Sequence, residues 1–156
     1  MYKGGFQMNW TAKDLDTYLQ QTEYIDTLLV PLVKVETDLD KMKNGASSTD
    51  FLMNLTMFIE TQFKGRMVLV PPFSYTPSVD LAQMGRTWSE DLSRMPFKHI
   101  FFLTTDPAWT STELAGEVIW LPAIPLESMD AKLRQSILED QLRQLVPKFS
   151  AAWAGQ

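Results

Sequence analysis

Apolar residues follow two rhythms along this chain. Four runs are short and continuous: Thr27-Leu28-Leu29-Val30, Met67-Val68-Leu69-Val70, Ile100-Phe101-Phe102-Leu103 and Val118-Ile119-Trp120-Leu121. Runs of this length predict strands buried on both faces. Elsewhere the apolar positions step by three and four, as helices do. Such steps join Leu15, Tyr18 and Leu19; Phe51, Leu52, Leu55, Phe58, Ile59 and Phe63; and Leu81, Met84, Trp88, Leu92 and Met95. A last series runs from Leu126 through Met129, Leu133, Ile137, Leu138, Leu142 and Leu145 to Val146.

Local signals set the expected boundaries. Thr11 can cap the first helix, with Asp14 three residues on and Trp10 placed to staple onto Leu15. Residues 36–48 read as a polar loop, with Ser48 or Thr49 capping the second helix and Gly65 ending it. Ser78 is the expected cap of the third helix, and Pro107 suits the first position of a short one. Pro147 should end or kink the last. Pro31, Pro71 and Pro122 each follow an apolar run directly. Proline cannot donate to a ladder, so each is expected at a strand's end or on an unpaired edge.

Strands alternating with helices predict a three-layer α/β/α sandwich, Rossmann-like, with about four mainly parallel strands and helices on both faces. The connection from Thr104 to Gly116 is near the minimum for a parallel crossover, which leaves the direction of the fourth strand open. Residues 1–7 lack periodicity and read as a loose leader before a second possible start at Met8; residues 8–156 read as one α/β domain. The 156 residues suit a single domain with a sizeable core.

Composition narrows the chemistry. With 14 Lys+Arg against 19 Asp+Glu, the net charge is -5, which offers no general attraction to nucleic acid or to an anionic membrane. The chain has no Cys, so disulfides, thiolate metal sites and a Cys nucleophile are excluded; the one His excludes a His-rich metal site. The apolar stretch Leu28 to Val33 contains Pro31 and is far too short to cross a bilayer. The opening residues lack a signal-peptide core, and a cytoplasmic protein is expected.

In an open α/β sheet the site belongs at the carboxyl ends of the strands. Phosphate sites there use glycine-rich loops, and neither GxGxxG nor GxxxxGKS/T occurs. Asp14, Asp50, Asp80 and Glu127 are placed to neutralise helix starts, leaving no ready seat for an anion. No nucleophile elbow is present. Glu36, Asp38 and Asp40 read as a solvated acidic loop, and His99 lies at the amino edge. No catalytic residue, metal ligand or cofactor is assigned. Ser74, Tyr75, Thr104, Thr105 and Asp106 are the candidate ligand contacts at the rim. Trp109 and Trp153 lie in irregular segments and are candidate interface anchors.

The opening Met8-Asn9-Trp10-Thr11-Ala12-Lys13-Asp14, then Tyr24-Ile25-Asp26-Thr27 and Leu29-Val30-Pro31-Leu32, resembles the YpiF-like family of Gram-positive bacteria, a domain-of-unknown-function family. The resemblance implies a bacterial cytoplasmic protein and supplies no site residues. The residues themselves favour a non-catalytic regulatory or adaptor protein whose partner is another protein. The alternative is a small-ligand-binding or enzymatic Rossmann-like domain using the rim residues.

Overall fold

The computed structural model describes residues 8–155. The leader expected at residues 1–7 lies outside them. The elements are α1 (Ala12–Gln20), β1 (Thr27–Lys34), α2 (Leu39–Gln62), β2 (Met67–Leu69), β3 (Phe73–Tyr75), α3 (Leu81–Leu92), β4 (His99–Thr104), a 3-10 turn (Pro107–Ser111), β5 (Glu117–Trp120) and α4 (Ala131–Ala154). All strand pairings are parallel, and β1 lies between β4 and the β2/β3 pair, with β5 beyond β4. The short third connection therefore does cross over, and the fourth apolar run joins the sheet in parallel.

Strand alternation sorts the side chains onto two faces. Leu29, Phe101, Leu103 and Ile119 meet Phe51, Leu55 and Ile59 of α2 and Leu145 and Phe149 of α4. Leu28, Val30, Leu32 and Phe102 meet Tyr18 of α1, Leu92 of α3 and Trp109. This is the three-layer α/β/α arrangement, Rossmann-like, that the alternating pattern predicts.

Proline behaves differently from expectation in two elements. Pro31 does not end its strand: β1 continues to Lys34 in the middle of the sheet. The register explains why this is tolerated. Leu29 pairs with Leu69 and Leu32 with Phe73, so the neighbouring chain inserts one extra residue, a bulge containing Pro71-Pro72. The N–H groups of Thr27 and Val35 bond to this neighbour, through Arg66 O and Tyr75 O. Pro31 is in phase with both, so its missing N–H faces the interruption between β2 and β3. Ser74 and Tyr75, two of the candidate rim contacts, form β3 after the bulge. Pro147 likewise fails to stop α4, which runs on to Ala154 with the proline on its exposed side.

Helix starts also move. α2 begins at Leu39 after Asp38, so most of the expected loop is helical and Gly45 and Asp50 lie within the helix. Asp80, not Ser78, caps α3, and Asp130 caps α4 beyond Glu127. Thr11 caps where expected, and Asp106 caps the short helix that Pro107 opens. Gly116 is a close approach: a Cβ there would lie 2.2 Å from Ile100 O, so glycine lets β5 seat against β4.

Candidate functional site

The strand order places a reversal between β1 and β4. From β1 the chain passes through α2 to β2 on one side, and from β3 it crosses through α3 to β4 on the other. The helices diverge onto opposite faces and leave a crevice at the carboxyl ends, the position where doubly wound sheets bind ligands. Here it is a cleft of about 200 Å³ bordered by Lys34, Glu36, Ser48, Thr49, Thr105 and Asp106.

Its polar groups are largely engaged by the chain itself. Lys34 Nζ lies 3.4 Å from Glu36 Oε2. The Ser48 and Thr49 hydroxyls donate to Asn44 O and Gly45 O, one turn back in α2. A Cβ at Gly45 would lie 2.7 Å from Glu36 Cγ, so this glycine makes room for the carboxylate to fold against the helix.

Three expected rim residues, Tyr75, Thr104 and Asp106, come together. The Tyr75 hydroxyl donates to Asp106 Oδ2 at 2.7 Å and accepts from Trp109 Nε1 at 2.8 Å. The Asp106 N–H donates to Thr104 Oγ1, and Asp106 Oδ1 accepts from Ala108 N. Burial, reinforced by the bond to Asp106, holds the Tyr75 hydroxyl well above its ordinary pKa of 10. Both Asp106 oxygens are thus taken by the chain, and the cluster braces β3 to β4 and the 3-10 turn. Thr105 is half-buried, its carbonyl accepting from Trp120 Nε1. Ser74 is exposed beside a different groove, described below.

Neither expected anchor is an open aromatic. Trp109 has no exposed surface; it stacks on Trp88 with centroids 5.5 Å apart and meets Tyr75 edge-on. Its irregular segment is a 3-10 turn packed onto the sheet, so this side chain belongs to the core. Trp153 is half-buried in the last turn of α4. Its Nε1 donates to Thr27 Oγ1, and the Arg66 guanidinium lies 4.2 Å over its ring. Arg66 in turn makes two bonds to buried Asp26, at 3.1 and 3.2 Å. Trp153 thereby fastens α4 to the amino end of the sheet.

A run of exposed apolar side chains lies elsewhere, on α2. Beyond the face it buries, α2 carries a second stripe: Leu39, Met42, Ala46, Met53 and Met57, interrupted by Asp50. Leu39 is 87% exposed, Met57 56% and Met42 49%. A groove of about 590 Å³ runs beside it, between α2 and Val35, Pro72 and Ser74. A shallower one, about 270 Å³, continues past Met53 and Met57 to Trp10, Pro71 and Pro72. The Pro71-Pro72 bulge at the sheet's edge forms the far wall of both. The loop expected over residues 36–48 hides this surface, which appears only with α2 beginning at Leu39. The signal was present in the helical spacing of Leu39, Met42, Ala46, Met53 and Met57.

Fold and surface together define an open doubly wound α/β domain in which the groove of about 590 Å³ on the α2 flank exceeds the cleft of about 200 Å³ over the strand ends. The chain belongs to the family described as "Protein of unknown function (DUF2487)", matched over residues 16–153. It is 28% identical over 147 residues to "Uncharacterized protein YpiF" of Bacillus subtilis (strain 168), covering 94% of this chain and 99% of that relative. No solved structure matches. Among the described residues no helix is long and apolar enough to cross a membrane.

Proposed function

We propose that this protein is a non-catalytic regulatory or adaptor module that acts by holding an amphipathic helix of a protein partner against the outer face of α2. The observation that carries this reading is the second apolar stripe. A helix that covers only a core needs one apolar face; α2 has two, and water faces the second. Methionine suits such a surface, because its unbranched thioether adapts to a partner's shape. The paired grooves, walled by Pro71, Pro72 and Trp10, fit a rod laid beside α2. At the strand ends, by contrast, the hydroxyls of Ser48, Thr49 and Tyr75 and the Asp106 carboxylate already bond within the chain.

Affinity capture from the source bacterium tests the reading. The native chain is expected to retain a discrete protein that Met53→Glu loses and Lys132→Glu, on exposed α4 surface, keeps. Identical capture by all three chains contradicts it.

One observation favours a second reading: the cleft at the β1/β4 reversal has the position of a small-ligand site. A ligand bound there must raise the unfolding temperature by mass action. A metabolite screen that finds such a shift, abolished by Lys34→Ala, supports this alternative.

A further inference from the structure

We infer that the helix received by the α2 face is α2 of a second copy of this chain, so that the protein self-associates about a two-fold axis. This rests on the protein-binding reading above and names its partner. The stripe is close to palindromic. Reversing the helix about Ser48, the centre of the stripe, superposes Leu39 on Met57, Met42 on Met53 and Ala46 on Asp50, to within one residue. Two copies packed antiparallel therefore set Leu39 against Met57 and Met42 against Met53 at both ends of the contact, with Ala46 against Asp50 near its centre, a self-complementary arrangement. Ala46, the smallest member, falls near the crossing point, where two helix backbones need room.

Charge agrees with this geometry. Lys43 and Asp50 are both exposed and stand on the same flank of the stripe. In an antiparallel helix pair like flanks meet, so the dyad brings Lys43 of each copy within a turn of Asp50 of the other. The one charged interruption of the stripe thus gains an opposite charge, twice over. Lys43 also lies in the field of Glu127, which accepts a bond from Ser47 on that same flank. The grooves complete the fit: the α2 ridge of one copy lies along the trough between α2 and Pro71-Pro72 of the other.

The expected strength is modest. From Leu39 to Met57 the stripe spans about 28 Å of a helix about 10–12 Å wide, so the strip covers roughly 300 Å² per copy. Val35, Trp10, Pro71 and Pro72 add to it, but the total stays near the low end of specific interfaces, about 800 Å² per partner at standard size. A weak dimer, dissociating at about micromolar concentrations or above, is expected of so small a contact.

Sedimentation equilibrium of the full chain from about 1 to 200 µM reads this directly, a window set by the expected micromolar dissociation. The native chain is expected to show a monomer–dimer equilibrium. Met53→Glu and Leu39→Glu should each be monomeric throughout; Leu39 is almost wholly exposed, so its loss of dimer cannot arise from unfolding, and circular dichroism checks both. Lys43→Asp and Asp50→Lys each place like charges across the dyad and should weaken the dimer about tenfold, while the double variant recovers it. A native chain monomeric at every concentration overturns self-association, as does a dimer indifferent to Met53→Glu. If the chain is monomeric yet captures another protein through Met53, self-association fails and the protein-binding reading stands.

Discussion

Removing the Tyr75 hydroxyl strands two groups at once: Asp106 Oδ2 loses its donor and Trp109 Nε1 its acceptor. Tyr75→Phe should therefore cost about 1–3 kcal/mol in urea unfolding at neutral pH. Its proton is held more tightly in the folded chain than in the unfolded one. The stability it contributes is whole below the unfolded value near 10 and is lost as pH climbs above it. The gap between native and Tyr75→Phe chains should accordingly shrink above pH 10; a constant gap would contradict the brace. Glu60 shows the same logic in the acid range. Its buried carboxylate accepts from Met8 N at 2.7 Å, and desolvation raises its pKa above 4.5 despite that bond and nearby Lys64. The folded form holds the proton more tightly, so ionised Glu60 costs stability at neutral pH, a cost absent below pH 4.5. Glu60→Gln should be the more stable chain at pH 7, with the difference closing as pH falls to 4. A difference that widens on acidification would reverse this assignment. At this scale the sequence is legible where a residue acts on its neighbours, as with the Thr11 cap and Pro107 at the start of its turn. It is silent on Trp109, whose burial depends on Trp88 and Tyr75 arriving from α3 and β3.

Elements were legible where one rule acted alone. Continuous apolar runs became strands, and the alternation of strands with helices set three layers. Misreadings arose where a local rule met a tertiary exception. Pro31 sits mid-strand because a second defect, the Pro71-Pro72 bulge, removes the acceptor it would have needed. The start of α2 was hidden because Gly45 and the polar residues around it look like a loop; Glu36 folding onto that glycine is a contact no local pattern reveals. Pro147 stands inside α4 because Leu145 and Phe149 are anchored in the core on either side. A proline there removes one helix hydrogen bond from a solvent-facing turn. Pro147→Ala should restore it and stabilise the chain by roughly 1–3 kcal/mol. Thermal unfolding checks this, and a lower melting temperature would mean that the proline's own geometry is needed to seat Phe149.

Across the whole molecule, the sheet is covered on both faces and closed at its amino end by Trp153, Arg66 and Asp26. At its carboxyl end the brace around Tyr75 and Asp106 ties down much of the rim. The outer flank of α2, with the bulged sheet edge, keeps a run of apolar side chains open to water. The expected site residues clustered at the strand ends because that is where open sheets carry ligands; an exposed helix flank has no comparable positional rule, and only the coordinates distinguish it from core. The account stands or falls on whether another protein chain covers that flank. A photoreactive amino acid placed at Met53 and irradiated in living cells gives the most direct answer. The account predicts a discrete crosslinked protein, a second copy or another chain, absent when the same probe replaces Arg134 on exposed α4 surface. Equal labelling at both positions, or none at Met53, would contradict it.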